Sequence, residues 1–536
     1  MSAALSPEAA ERPWRRHLGA LWKDFVPSEL ARGSLPQAFA FAAEAAPDRP
    51  AVTIGGAAVT HGQLDDDAAR IGGWLLERGV GRGSRVLLAG PTSHPFVRAY
   101  LGVLRSGATA MPVEAGLKAP ELERIISVAP PNAAFVSNDA AAELARVGKA
   151  SKLVVGLEPG ACSLELSEAQ SGPPAEPAGP GSPAILAFTS GTTGEPKGVP
   201  LSHGNVLSSI RAAMLAWRWA ADDVMLHALP LSHQHGLSGL HATLIAGSAA
   251  VIQPRFDAAS FAALGRNDAA SIILAVPAMY ERLLELPAAD LSLPALRLAV
   301  SGSAPLPGRL AEQVGDRLGQ LPLERYGSTE AGLVLSNLYE GPRRPGRVGY
   351  PLPGIEVRLA GSDAGEADPG SPGEILVRGQ QVFEGYWQRP DATTEAFDDD
   401  GWFRSGDIGT VDAADGSYAV TGRSKDLIIT GGLNVSPGEV EEVIDRHPGV
   451  VRSAVAGVPS QRWGEEVTAF VVLAADKAPD ADELVGHCRG RLSAYKCPKR
   501  VVVVDEIPTN EMGKVLRDRL VPLADDARDT RIDKEE

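Results

Sequence analysis

The stretch "PAILAFTSGTTGEPKG" (Pro183 to Gly198) is a short apolar run that breaks into small, hydroxylated and turn-forming residues, with one lysine framed by proline and glycine. A core strand that ends this way opens into a loop built to hold something. Thr189, Ser190, Gly191, Thr192, Thr193 and Gly194 can wrap a phosphate, because glycine lets backbone N–H groups approach and the hydroxyls donate. Lys197 would neutralise the anionic oxygens. This is not the Walker pattern, which needs Gly-Lys-Ser/Thr entering a helix; here Pro196 precedes the lysine and Gly198 follows it. The plainer alternative is a flexible turn between a strand and the helix of "SHGNVLSSIRAAML".

Around this unit, apolar runs alternate with helical patterns: "RVLLAG", "HPFVRAYLGVLRSG", "AAFVSN" and "KLVVG" before it, "AAVIQP", "ASIILAVP" and "LRLAVSGS" after it. That rhythm indicates α/β units and mostly parallel sheets. Two Pro/Gly-rich breaks, Glu168 to Pro183 and Ala360 to Glu374, read as connectors. Short strand-like pieces after the second break ("EILVRG", "GSYAVTG") suit a small β-rich subdomain. The pattern then restarts with a helix, "GEVEEVIDRHPGV", and the strands "VRSAVAGV" and "EEVTAFVVLA". The expected division is an N-terminal extension over 1–36, a large α/β domain over 37–424, and a small mobile α+β domain over 425–536.

Bulk properties narrow the function. A chain of 536 residues with 44% hydrophobic and 22% charged residues is an ordinary globular protein. Its net charge of -16 argues against nucleic-acid binding, which needs a basic face. Cys162, Cys488 and Cys497 form neither a disulfide framework nor a metal knuckle, which fits a reducing, cytoplasmic compartment. The first 25 residues are charged throughout, so no secretory leader is expected. No stretch approaches the roughly 20 apolar residues of a membrane span.

Four further stretches accompany the opening loop: "ERYGSTEAG" (Glu324 to Gly332), "GWFRSGDIG" (Gly401 to Gly409), "GRSKDLIITGGLNVSPGEVE" (Gly422 to Glu441) and "PTNEMGKVLR" (Pro508 to Arg517). Together the five resemble the adenylate-forming superfamily of acyl-CoA synthetases, nonribosomal adenylation domains and luciferases, over about Gln37 to Leu520. The resemblance implies that ATP and a carboxylate form an acyl-adenylate and pyrophosphate, and that CoA then takes the acyl group. Both first reactants are anions, so the site must supply cations and alignment.

Residue by residue, Lys514 matches the family lysine that bridges the carboxylate and the α-phosphate, and the small domain must close to deliver it. Thr329 matches a phosphate-contacting hydroxyl, and Glu330 the carboxylate that helps to hold Mg²⁺. Tyr326 would stack on adenine, Asp407 and Arg423 would hold the ribose, and Ser301 to Pro305, with Ser303 and Ala304, would line the acyl and adenine pockets. Lys425 matches the hinge, and Gly431 and Gly432 the face that a pantetheine arm passes. The basic run "LSAYKCPKR" could meet CoA phosphates or be a solvated charge cluster.

In "HALPLSHQHGLSGLH" four of the ten histidines (His227, His233, His235, His241) crowd together. No cysteine or carboxylate stands beside them to complete a zinc set. The family instead has a histidine at His233, shaping the wall where the acyl carboxylate meets ATP.

Arg282, in "VPAMYERLLE", and Arg325, directly before Tyr326, suggest an acyl pocket for a second carboxylate, because a guanidinium fork fits a carboxylate bidentately. Both, with "SNLYEGPRRPGRVGYPLPG", resemble malonyl-CoA synthetases; Ser328 and Ala331-Gly332 depart from them. The expectation is an ATP-dependent acyl-CoA ligase for malonate or a similar short dicarboxylate. The alternatives are a medium-chain or aromatic acid, or transfer to a carrier protein or amine.

Overall fold

The computed structural model describes residues 7–148, 153–157, 178–190, 195–361, 365–430, 433–460, 462–474, 478–510 and 513–526. Two sheets with parallel centres dominate. In the first, Leu153–Gly156, Ala133–Val136, Arg85–Ala89, Thr109–Val113 and Pro183–Ser190 run parallel, and Pro196–Ser202 closes one edge antiparallel. In the second, of nine strands, Leu323–Ser328, Leu298–Ser301, Ile272–Ala275, Val224–His227, Ala249–Ile252 and Pro50–Ile54 are parallel neighbours in that order. Every residue of Thr109–Val113, Ile272–Ala275 and Leu298–Ser301 is buried. Helices cover both faces of such strands, so the sequence reads as continuous apolar runs without alternation.

The registers decide where a site can form. Leu274 stands beside His227, Ala275 beside Ser301, and Ile252 beside His227, so these strands end at one level. Their carboxyl ends release the loops that begin at Ala228, Gln253, Val276 and Gly302. Ligands of open α/β sheets bind along that edge. The edges of the two sheets meet: the Leu231 amide donates to Thr92 Oγ1 at 3.4 Å, and Thr92 follows Arg85–Ala89.

A four-stranded antiparallel sheet, Ile355–Ala360, Gly373–Gly379, Phe403–Val411 and Tyr418–Arg423, follows the second α/β sheet. The C-terminal sheet holds Leu433–Val435, Ile428–Thr430, Gly464–Leu473 and Val450–Ser460, with Arg500–Val503 beside Gly464–Leu473. The buried clusters on that sheet begin at Ile428, while the largest cluster ends at Tyr418.

Two features differ from the sequence reading. The segment after the glycine–threonine loop is a strand, Pro196–Ser202, before the helix His203–Ala216. Proline is tolerated there because the strand is an edge. Within 1–36, Trp14, Leu30 and Leu35 are buried in the main core, and the Trp14 indole N–H donates to the Pro351 carbonyl. Among the described residues no helix is long and apolar enough to cross a membrane.

Candidate active site

The hairpin of Pro183–Ser190 and Pro196–Ser202 sets Thr189 opposite Lys197. Gly191, Thr192, Thr193 and Gly194, which follow Ser190 in the chain, lie outside the described residues, as does the Ser190 side chain. The Lys197 ammonium lies 4.8 Å from the centre of the Tyr386 ring. The Tyr386 hydroxyl donates to Glu330 Oε1 at 3.2 Å. A residue that sequence reasoning passed over therefore joins the loop lysine to the expected metal carboxylate.

Thr329 and Glu330 occupy the tight turn between Leu323–Ser328 and Gly332–Ser336, where the Ala331 amide donates to Ser328 Oγ at 3.1 Å. Among the described residues the Tyr386 hydroxyl is the side-chain partner of Glu330, on Oε1, which leaves Oε2 to a cation. No group of three His, Cys, Asp or Glu side chains that could hold a metal occurs among the described residues. A Mg²⁺ ion here would need other oxygens, and nucleotide phosphates supply them.

Asp407 and Arg423 are cross-strand partners, and Arg423 Nε contacts Asp407 Oδ1 at 3.0 Å. The Tyr326 hydroxyl donates to Asp407 Oδ2 at 2.6 Å. Burial, and then the Asp407 charge, push the Tyr326 phenol well above its ordinary range. Three residues from three motifs thus form one group, joined by an ion pair and a hydrogen bond.

Lys514 stands in a hairpin turn: its amide donates to Asn510 Oδ1 at 2.9 Å, and its carbonyl accepts from the Asn510 amide at 2.9 Å. Burial lowers its ammonium to about 8; the Arg423 cation adds to this and Asp407 opposes it. Lys514 of the small domain therefore lies within electrostatic range of the Asp407–Arg423 group. Next to Lys514, a Cβ on Gly513 would lie 3.5 Å from the Ala278 Cβ, on the helix Pro277–Leu284. Arg452 donates to the Gly513 carbonyl at 3.3 Å, and its charge acts on Glu281 of that same helix. Lys425 is exposed in the short turn Ser424–Asp426, and Gly431 and Gly432 lie outside the described residues.

On the acyl side, the four histidines have four separate environments. His227 is buried and accepts from the Leu229 amide at Nδ1, 3.1 Å away. His241 is buried against the Tyr100 hydroxyl at 2.8 Å. His233 Nε2 meets Glu114 Oε1 at 2.8 Å. His235 Nδ1 meets Ser303 Oγ at 2.8 Å, and its Nε2 is buried without a partner. Burial first, then the nearby Arg325 cation, holds the His235 imidazole well below its usual range. Ser303 has φ 70°, a left-handed conformation uncommon for a residue with a side chain. Such strain is a mark of functional loops. Ala304 follows it, half-buried, and the Ser301 hydroxyl is buried without a partner.

Arg325 is only 8% exposed, and Gly302 leaves the space that its guanidinium fills. Burial lowers it to about 10, and its Nε has no partner. Glu324 does not neutralise it: strand neighbours point to opposite faces, and Glu324 accepts from the Gly346 amide at 3.1 Å. Arg282 is exposed, its guanidinium 5.5 Å from the centre of the Phe256 ring, and no hydrogen bond or ion pair joins it to Arg325 among the described residues. The structure assembles Arg325, His235 and Ser303 and leaves Arg282 apart from them. Histidine spacing in the sequence hinted at His235; nothing in the sequence singled out Glu114 or Tyr386.

Residues 39–387 match the model of AMP-binding enzymes, and residues 439–514 match the AMP-binding enzyme C-terminal domain. A feruloyl-CoA synthase from an Amycolatopsis species is 36% identical over 489 residues, 89% of this chain and 96% of that protein. The mitochondrial malonate–CoA ligase of Bos taurus is 39% identical over 375 residues, 63% of this chain and 64% of that one. ATP-bound MatB from Rhodopseudomonas palustris superposes with a TM-score of 0.85 at 36% identity, over 92% of this chain and 99% of that one.

Proposed function

The chain belongs to the AMP-binding enzyme family and is an ATP-dependent, AMP-forming acyl-CoA ligase, and from that premise we propose that it activates a short dicarboxylate such as malonate. The observation that carries this reading is the buried Arg325 guanidinium, with no carboxylate partner among the described residues. An unpaired buried charge is costly, roughly 2–5 kcal/mol when the partner of a hydrogen-bonded pair is removed. The distal carboxylate of a dicarboxylic acid would supply that partner, with Ser303 and His235 adding hydrogen bonds. The resemblance of the segment around Arg325 to malonyl-CoA synthetases supports the same choice.

The reaction takes ATP, Mg²⁺ and CoA. In the first half, a carboxylate oxygen bonds to the α-phosphorus as the bond to pyrophosphate breaks. Lys514 offsets the charge of the two approaching anions; His233 lines the wall beside them. Tyr326, Asp407 and Arg423 hold the nucleoside, while Thr189, Ser190, Gly191, Thr192, Thr193, Gly194 and Lys197 hold its phosphates. The Thr329 hydroxyl would contact a phosphate and Glu330 would help to hold Mg²⁺, which supplies charge neutralisation when bound. In the second half, the CoA sulfur bonds to the acyl carbon and AMP leaves. That step follows a rotation of the lid, residues 425–536, about Lys425 against the body, 37–424, which brings Gly431 and Gly432 to the pantetheine arm. The free, buried Cys488 and Cys497 support a reducing, cytoplasmic setting.

The second reading is an acid with a neutral, aromatic tail. The exposed position of Arg282 favours it. Pyrophosphate release over a panel of acids, with and without CoA, separates the two. A dicarboxylate should lead acetate, propionate and aromatic acids in kcat/KM, and Arg325→Met should narrow that lead. A wild type that prefers an aromatic or medium-chain acid refutes the dicarboxylate reading and leaves the ligase assignment standing.

A further inference from the structure

We propose that Glu114 is a positioning residue for adenylation, acting through His233. Glu114 follows Thr109–Val113 of the first sheet, and His233 precedes the helix Gln234–Ala246 of the second. Their 2.8 Å contact spans the seam where the two carboxyl edges meet. The His233 backbone is already fixed, its amide donating to the Pro230 carbonyl and its carbonyl accepting from the Leu237 amide. Its ring is not fixed by its own helix, since it makes no side-chain cap bond there. Among the described residues Glu114 is the one hydrogen-bond partner of that ring.

The chemistry of the contact sets the tautomer. The hydrogen bond from His233 holds the Glu114 carboxyl below the usual carboxylate range, against the effect of burial. An ionised carboxylate can only accept, so Nε2 of His233 carries the hydrogen and donates it. The ring then meets the reactants through Nδ1, in one rotamer. The two side chains are 36% and 33% exposed, open enough that the contact serves the cleft and not the core.

This rests on His233 forming the acyl-carboxylate wall, and the test separates the two claims. Glu114→Leu should lower kcat/KM of carboxylate-dependent pyrophosphate exchange about ten- to a hundredfold, the rate equivalent of one hydrogen bond to a charged group. Glu114→Gln, whose amide oxygen still accepts, should recover part of that loss. In ¹⁵N-histidine spectra the wild type should show His233 with the hydrogen on Nε2, and Glu114→Leu a mixture of tautomers. In a His233→Ala background Glu114→Leu should cost nothing more. Wild-type exchange in Glu114→Leu, or losses that add in the double variant, overturns the proposal. Undiminished exchange in His233→Ala alone refutes the role of His233, and the proposal falls with it.

Discussion

Lys514→Ala removes the cation that the Asn510–Lys514 turn holds within electrostatic range of Asp407 and Arg423. At ~4 Å and an effective dielectric of about 20, one cation–anion contact is about 4 kcal/mol. Removing one preorganised contact at a transferring centre typically costs on the order of 10²–10³ in rate. Carboxylate-dependent pyrophosphate exchange should fall by that amount, while thioester formation from a supplied acyl-adenylate and CoA persists. The lowered ammonium adds a pH signature. With the lysine at about 8, adenylation kcat/KM should be level below that pH and fall roughly tenfold per unit above it. Lys514→Arg does not titrate in this range, so its weaker activity should lack the basic limb. The sign for closure is opposite. Between about 8 and the ordinary 10.5, the closed lid binds fewer protons than an open one. Rising pH across that window favours closure even as it discharges the cation. Equal loss of both half-reactions in Lys514→Ala would refute the two-pose account.

Lys425→Pro should retain adenylation and lower thioester formation at least tenfold, because proline fixes φ near −65°, a value that the Ser424–Asp426 turn already suits. Unchanged turnover would remove Lys425 as the pivot. Gly302→Ala places a methyl group where the Arg325 guanidinium sits, so the preference for a dicarboxylate over a monocarboxylate should drop, read as the ratio of their kcat/KM values. Equal losses for both acids would separate Arg325 from substrate choice.

The α/β rhythm was legible because strands buried on both faces, such as Ile272–Ala275, are unbroken apolar runs. The Asp407–Arg423 pair was legible from its motifs, and a short antiparallel hairpin makes the two neighbours. The strand Pro196–Ser202 was hidden by Pro196, which argues against a strand unless its edge position is known. Glu114 and His233 are 119 residues apart and join through different sheets. Only the registers, which sequence periodicity does not report, bring those two strand ends together. His235 was visible as part of a cluster, yet its pairing with Ser303 depends on a left-handed backbone that no residue type announces.

The helix Pro277–Leu284 receives Gly513 and Arg452 of the lid and also bears Arg282. Ala278 and Glu281 on that surface are thereby constrained by the lid as well as by the packing of the large domain. Exchanging residues on this helix would disturb the seat of the lysine hairpin, so adenylation would falter even with the acyl pocket left intact. The strand Leu323–Ser328 is bound in a similar way, because Arg325 and Tyr326 are neighbours on it and serve the acid and the nucleoside.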